Sequence, residues 1–221
     1  MIIGNGMIAN KFKEYEASFD DCIIFASGVS NSDCNSENEF IRERELLIET
    51  ITNNPNLKLI YFSSLLCEAI DKPYYKHKLM IENILEKESK NYLIYRLPQV
   101  VGNNGNPNNL FNKLKNNIIN GHTNNIYLDA VRSLIDIDDL VNFVIFSKHL
   151  TNTKIFFAQI KEIKVSTLCT MISNALNIKP IITYSQNENI NWYYVNSDIV
   201  YDWLAGVDVD NYNKNLIKKY I

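Results

Sequence analysis

The chain of 221 residues has a hydrophobic fraction of 46%, a formal net charge of −3 and a pI near 5.7. These values suit one globular domain with a full core and give no basic excess for nucleic acid or an anionic membrane surface. No charged leader precedes a long apolar region, runs such as 140–146 are too short to span a bilayer, and Cys22, Cys34, Cys67 and Cys169 form no Cys-x-x-Cys pair. A signal peptide, a metal centre and a disulfide framework are therefore poor readings, and a reducing cytoplasm is the expected compartment.

In chain order, apolar runs predict strands at 1–3, 22–26, 58–63 and 92–97, alternating with helical patterns at 7–15, 37–53 and 74–88. Such alternation gives an α/β fold, a parallel sheet with crossover helices on both faces. A polar run at 102–109 precedes a helix at 110–120. Then come a short strand at 133–136, a helix at 138–149, a strand at 154–158, a helix at 166–177 with Ser166 as its N-cap, and a last helix at 211–220. No repeat or linker divides the chain, so one domain is expected.

Two patterns carry chemistry. The first strand breaks into Gly4-Asn5-Gly6-Met7-Ile8-Ala9 and then a helix, the arrangement in which glycines let a pyrophosphate approach the backbone at a helix N-terminus. The third strand ends in Tyr61-Phe62-Ser63-Ser64, and ten residues after Ser64 come Tyr74 and Lys78, one helical turn apart. A cation beside a phenol lowers its pKa, making Tyr74 an acid/base group. Ser63 is the alternative hydroxyl but belongs to the other face of the strand, and Tyr75 is the rival phenol without a Lys at the same spacing. His77 reads as structural or exposed. Asp136, Asp138 and Asp139 read as a turn and helix N-terminus, not a metal site.

Taken in order, glycine turn, Ser, then Tyr/Lys, the chain resembles the extended short-chain dehydrogenase/reductase superfamily of nucleotide-sugar epimerases, dehydratases and ketoreductases. Tyr95-Arg96-Leu97-Pro98-Gln99-Val100-Val101-Gly102 and Arg132-Ser133-Leu134-Ile135-Asp136-Ile137-Asp138-Asp139 resemble two further segments of that family. The resemblance implies a Rossmann-like sheet, NAD or NADP as cofactor, a dinucleotide-binding core at 1–102 and a mixed region at 103–221 contributing the substrate pocket. It assigns Ser64, Tyr74 and Lys78 to catalysis. Gly4, Gly6, Met7, Ile8, Ala26, Ser27, Lys78 and Pro98 go to the dinucleotide, and Ser64 and Arg132 to a nucleotide-sugar substrate, with Arg132 on its diphosphate. Surface polysaccharide biosynthesis follows from the family alone, and the apolar positions Leu46, Leu47, Ile81 and Leu85 permit, without requiring, the helix-paired homodimer of many family members.

Two departures qualify the resemblance. Between Ala9 and Cys22 there is room for one crossover helix, not for the two further strands of the family, so the residue that reads the adenosine ribose is absent and the first strand should pair directly with the strand at Cys22. Leu65 and Leu66 stand where sugar-nucleotide dehydratases carry an Asp-Glu pair, which favours reduction or epimerisation over dehydration. The rival from another class is a non-catalytic Rossmann-like module that binds a nucleotide or a protein.

Overall fold

The computed structural model describes residues 1–186 and 195–221. Five parallel strands form the central sheet in the order β1-β2-β3-β4-β9: β1 (Ile2–Ile3), β2 (Cys22–Phe25), β3 (Lys58–Ser64), β4 (Tyr92–Leu97) and β9 (Thr153–Phe156). The helices between them are α1 (Met7–Lys13), α2 (Glu37–Asn53) and α3 (Pro73–Glu88). Ile2 lies opposite Ile24, with no strand between them, so β1 is an edge. This is the pairing expected from the short connection between Ala9 and Cys22.

Between β4 and β9 the chain makes β5 (Gln99–Val101), α4 (Leu110–Ile119), β6 (Thr123–Tyr127), β7 (Val131–Arg132), β8 (Leu134–Asp136) and α5 (Ile137–Ser147). After β9 come β10 (Ile163–Lys164), α6 (Val165–Leu176), β11 (Ile181–Ser185), α7 (Asp198–Leu204) and α8 (Tyr212–Tyr220). Three two-stranded pairings, β5 with β8, β7 with β10 and β6 with β11, tie this half together. The strand at 153–156 therefore returns to the main sheet, so residues beyond 103 complete its core.

Apolar side chains cover both faces. Ile24, Ile60, Phe62, Leu93, Tyr95 and Ile155 turn towards one core, while Ile23, Phe25, Leu59, Tyr61 and Ile94 meet Leu47, Ile81 and Leu85 of α2 and α3 in the other. A strand buried on both sides reads as an unbroken apolar run, as Leu59–Phe62 does. Leu47, Ile81 and Leu85 have no exposed surface, so they serve the core and offer nothing to the dimer contact that the sequence permits. Leu46 is only partly buried against the same core.

Helix ends follow local chemistry. Pro73 opens α3, and Asp136 caps α5 by accepting from the Asp138 N–H at 2.8 Å. The cap expected at Ser166 is displaced: α6 begins at Val165 with Lys164 in the N-cap position, because the β10 pairing with β7 runs straight into the helix. Asn177 ends α6 in the left-handed region at φ 55°.

Gly4 has φ +129°, and a Cβ there would lie 2.4 Å from the Ala26 carbonyl oxygen, whereas a Cβ at Gly6 meets nothing within 4 Å. Replacing Gly4 with Ala should therefore lower stability by about 2 kcal/mol or more in urea unfolding, while Gly6→Ala should stay within about 0.5 kcal/mol.

Candidate functional site

The carboxyl ends of β1 to β4 lie along one edge of the sheet, and the expected site residues cluster there by topology: Gly4 and Gly6 after β1, Ala26 and Ser27 after β2, Ser64 at the end of β3, and Pro98 after β4. Open α/β sheets bind ligands at this edge. Tyr74 and Lys78 occupy the first turns of α3, which starts from the same edge. Gly6 is the N-cap of α1, and Met7 packs beneath the loop after β5, where a Cβ on Gly102 or Gly105 would come within 2.9 Å of its Sδ. Ile8 packs against the main core. Arg42 of α2, which sequence reasoning missed, holds the loop after β2 by donating to the Ser27 hydroxyl at 3.1 Å and its carbonyl at 3.0 Å.

Ser64 is half-buried, and its oxygen accepts the Leu66 N–H at 3.2 Å, which leaves the hydroxyl proton available. Ser63 points to the opposite face and donates to Glu82 in the buried core. The expected division of labour between the two hydroxyls thus has a structural basis in strand alternation.

Lys78 does not sit as the Tyr-x-x-x-Lys reading expects. Its ammonium lies 5.7 Å from the Tyr74 ring centroid but donates to the Tyr61 hydroxyl at 2.9 Å and to the Glu43 carboxylate at 3.3 Å. Only 3% of Lys78 is exposed. The Tyr74 pKa is accordingly raised, first by burial and then by Tyr75 and the Glu43 charge, instead of lowered by a neighbouring cation. In this state the half-buried Tyr74 ring carries a phenol that keeps its proton at neutral pH.

Glu43 is the centre of this arrangement and was invisible to pattern reading. It has no exposed surface, and besides Lys78 it accepts from Tyr61 at 2.8 Å, the Val29 N–H at 2.7 Å and faces His77 Nε2 at 2.9 Å. Burial alone pushes its pKa up, but Lys78, His77, Val29 and Tyr61 together hold it well below the usual carboxylate range. The Phe40 ring stacks on His77 with centroids 4.5 Å apart, which places His77 as a buried structural group. A signal existed: Glu43 shares the inward stripe of Leu47, Thr50 and Ile51, and a charge at that spacing marks a buried partner.

A second buried pair lies beside it. Arg96 donates to Glu82 from Nε at 2.9 Å and from Nη2 at 2.6 Å, and the same Nη2 meets Glu68 at 2.7 Å, while Nη1 has no partner among the described residues. Burial pushes the Glu82 pKa up, and Arg96, Ser63 and Lys154 more than reverse it. Because Glu68 belongs to the short turn between Ser64 and Tyr74, Arg96 straps that segment to the sheet.

Arg132 lies on β7 and is exposed. It pairs with no carboxylate among the described residues, and its Nη1 donates to the Val131 carbonyl at 2.8 Å. Asp136 and Asp138 bind Lys219, and Tyr220 donates to Asp136 at 2.9 Å, so the Asp cluster docks the last helix. No group of three potential ligands that could hold a metal occurs among the described residues, all four cysteines are free and buried, and no described helix is long and apolar enough to cross a membrane.

Residues 56–154 match the family described as the NAD dependent epimerase/dehydratase family. That is the family the sequence resembles, and the matched stretch holds Ser64, Tyr74, Lys78, Pro98 and Arg132 but not the glycine turn. No curated protein matches. Among solved structures, a dTDP-glucose 4,6-dehydratase from Bacillus anthracis in complex with NAD is 15% identical, with a TM-score of 0.68 over 98% of this chain and 78% of its own. A UDP-N-acetylglucosamine 4-epimerase from Methanobrevibacter ruminantium is 20% identical, with a TM-score of 0.67 over 92% of this chain and 76% of its own. RMD from Pseudomonas aeruginosa, complexed with NADPH, is 12% identical, with a TM-score of 0.73 over 98% and 96%. At these identities the likeness establishes the Rossmann-like fold.

Both buried carboxylates titrate below their ordinary value of 4.5, so the stability they contribute is present above about pH 4.5 and is lost as pH falls through their folded-state pKa values. The urea midpoint should fall steeply below that pH, and Glu43→Gln should flatten the acid limb relative to wild type.

Proposed function

We propose that the chain is an NAD(P)-dependent oxidoreductase or epimerase acting on a nucleotide-activated sugar, with reduction of a keto-sugar as the reaction its residues fit best. The observation that carries this reading is the assembly of the Gly4–Gly6 turn, Ser64 and the start of α3 along one sheet edge, with Ser64, Tyr74 and Lys78 all inside the family-matched stretch. Structures of similar fold are complexed with NAD or NADPH, and some with nucleotide sugars.

The glycine turn fits a dinucleotide phosphate: the space above Gly6 is open, and the N-terminus of α1 faces it. Among the described residues no strand lies beyond β1 on the adenosine side, so affinity rests on the phosphate and nicotinamide half. A lost ribose hydrogen bond costs about 1 to 3 kcal/mol, or one to two powers of ten in binding. When bound, the reduced nicotinamide supplies hydride. Tyr74 then gives its phenolic proton to the carbonyl oxygen that receives the charge, Ser64 donates a hydrogen bond to the same oxygen, and Arg132 offers a planar fork to the substrate diphosphate. A phenol whose pKa is raised is a weak acid, so proton donation by Tyr74 requires a cation beside it, as the Tyr-x-x-x-Lys reading supposes. Leu65 and Leu66 leave no acid/base pair for elimination. A place in surface-glycan assembly would follow from this substrate class.

One observation favours the non-catalytic module: Lys78 is bonded inward to Glu43 and Tyr61. Titration with NADH and NADPH separates the two readings. Binding that Gly6→Val abolishes without loss of stability supports the enzyme, because valine fits the backbone there yet blocks the phosphate path. No binding of either dinucleotide at millimolar concentration would reject it. Tyr74→Phe should retain binding and lose turnover by about 10²-fold or more, since only the hydroxyl is removed.

A further inference from the structure

We propose that Glu43 and Tyr61 form a latch that holds Lys78 turned inward, and that dinucleotide binding requires Lys78 to be released from them. The use of that released lysine rests on the dinucleotide reading above. The latch itself stands on the contacts of Lys78.

Three features of the cluster make it a latch instead of a fixed ion pair. First, Glu43 keeps its other hydrogen bonds when Lys78 leaves. Glu43 keeps Tyr61 at 2.8 Å, the Val29 N–H at 2.7 Å and His77 at 2.9 Å, all shorter than its 3.3 Å contact with the ammonium. Departure of Lys78 removes the largest influence that keeps the Glu43 carboxylate ionised, and the three remaining hydrogen bonds offset part of that cost. Second, the shorter bond of Lys78 is to a neutral phenol, Tyr61, at 2.9 Å, a partner that ribose hydroxyls can replace in kind. Third, the roof over the ammonium is Gly28. A Cβ there would lie 2.7 Å from Lys78 Nζ and 2.8 Å from Glu43 Oε1, so this loop closes on the pair only because it has no side chain. The loop follows β2 at the carboxyl edge. A lysine carries its charge on a flexible four-carbon stem and can change partners by rotation about its own bonds.

A binding-competent state populated at roughly 10% or less raises the apparent dissociation constant about tenfold or more, and weakening the latch removes that penalty. Glu43→Gln removes the charge, and Tyr61→Phe removes the shorter bond and leaves Glu43 in place. In each, the Kd for NADH and NADPH should fall about tenfold, and acetylation of Lys78 by an amine-reactive ester, followed by peptide mass mapping, should speed up by a similar factor. A urea midpoint measured alongside separates this from loss of structure, and Tyr61→Phe decides if Glu43→Gln does not fold. Unchanged or weaker dinucleotide binding in folded variants overturns the proposal, as does unchanged Lys78 labelling. If neither wild type nor variants bind a dinucleotide, the enzyme reading fails, and labelling alone decides the latch: faster modification in either variant sustains it, and equal protection rejects it.

Discussion

A single buried carboxylate organises the half of the molecule that matters for chemistry. Glu43 lies on α2, and its partners come from β3, α3 and the loop after β2, so four separate stretches meet at two oxygens. Taking a carboxylate out of water is expensive, and the cost is offset only where every lone pair is engaged. The arrangement therefore admits little displacement of α2 against α3. It fixes the direction of Lys78, the roof at Gly28 and the aromatic stack of Phe40 on His77 together.

The Glu82–Arg96 pair does for the next strand what Glu43 does for the previous one. It joins α3 to β4 and, through Lys154, to β9, while the Arg96 guanidinium also packs 4.9 Å from the Phe156 ring. Both pairs draw one member from the same helix. α3 thus carries two kinds of side chain, apolar Ile81 and Leu85 for burial and charged Lys78 and Glu82 for alignment. A helix held only by its apolar residues could slide; ion pairs at two depths set its position along the sheet and with it the place of Tyr74.

The main sheet was legible in the sequence because its strands are buried on both faces and bounded by polar turns, and 92–97 and 37–53 coincide with the observed elements. The pairing of β1 with β2 followed from chain length alone. In the second half the strand read at 133–136 covers β8, while β5, β6, β7, β10 and β11 escaped. In β6 the inward positions are Asn124 and Ile126, and the buried Asn124, held by Asn117, hides the apolar alternation that would have revealed a strand. The site was legible as a set of residue types and not as a set of contacts. Tyr74, Lys78 and Ser64 could be named from spacing, yet the direction of Lys78 depends on Glu43, thirty-five residues away, and charged residues on helices read by default as solvated. Leu47, Ile81 and Leu85 were ambiguous in the sequence, because apolar positions on α2 and α3 serve equally for a core or an interface until the helices are placed.

The position of β9 sets the order in which the molecule can assemble. It lies parallel to β4, with Ile94 opposite Lys154, yet the chain between them makes four strands and two helices before returning, and Lys58 at the start of β3 binds the carbonyls of Lys148 and Leu150 just before it. Pairings so far apart in sequence must close a long loop before they stabilise anything, which slows folding. On a ribosome, β1 to β4 emerge with one side of β4 unpaired and its side chains Leu93 and Tyr95 uncovered. The fold becomes self-sufficient only after residue 156 has been made.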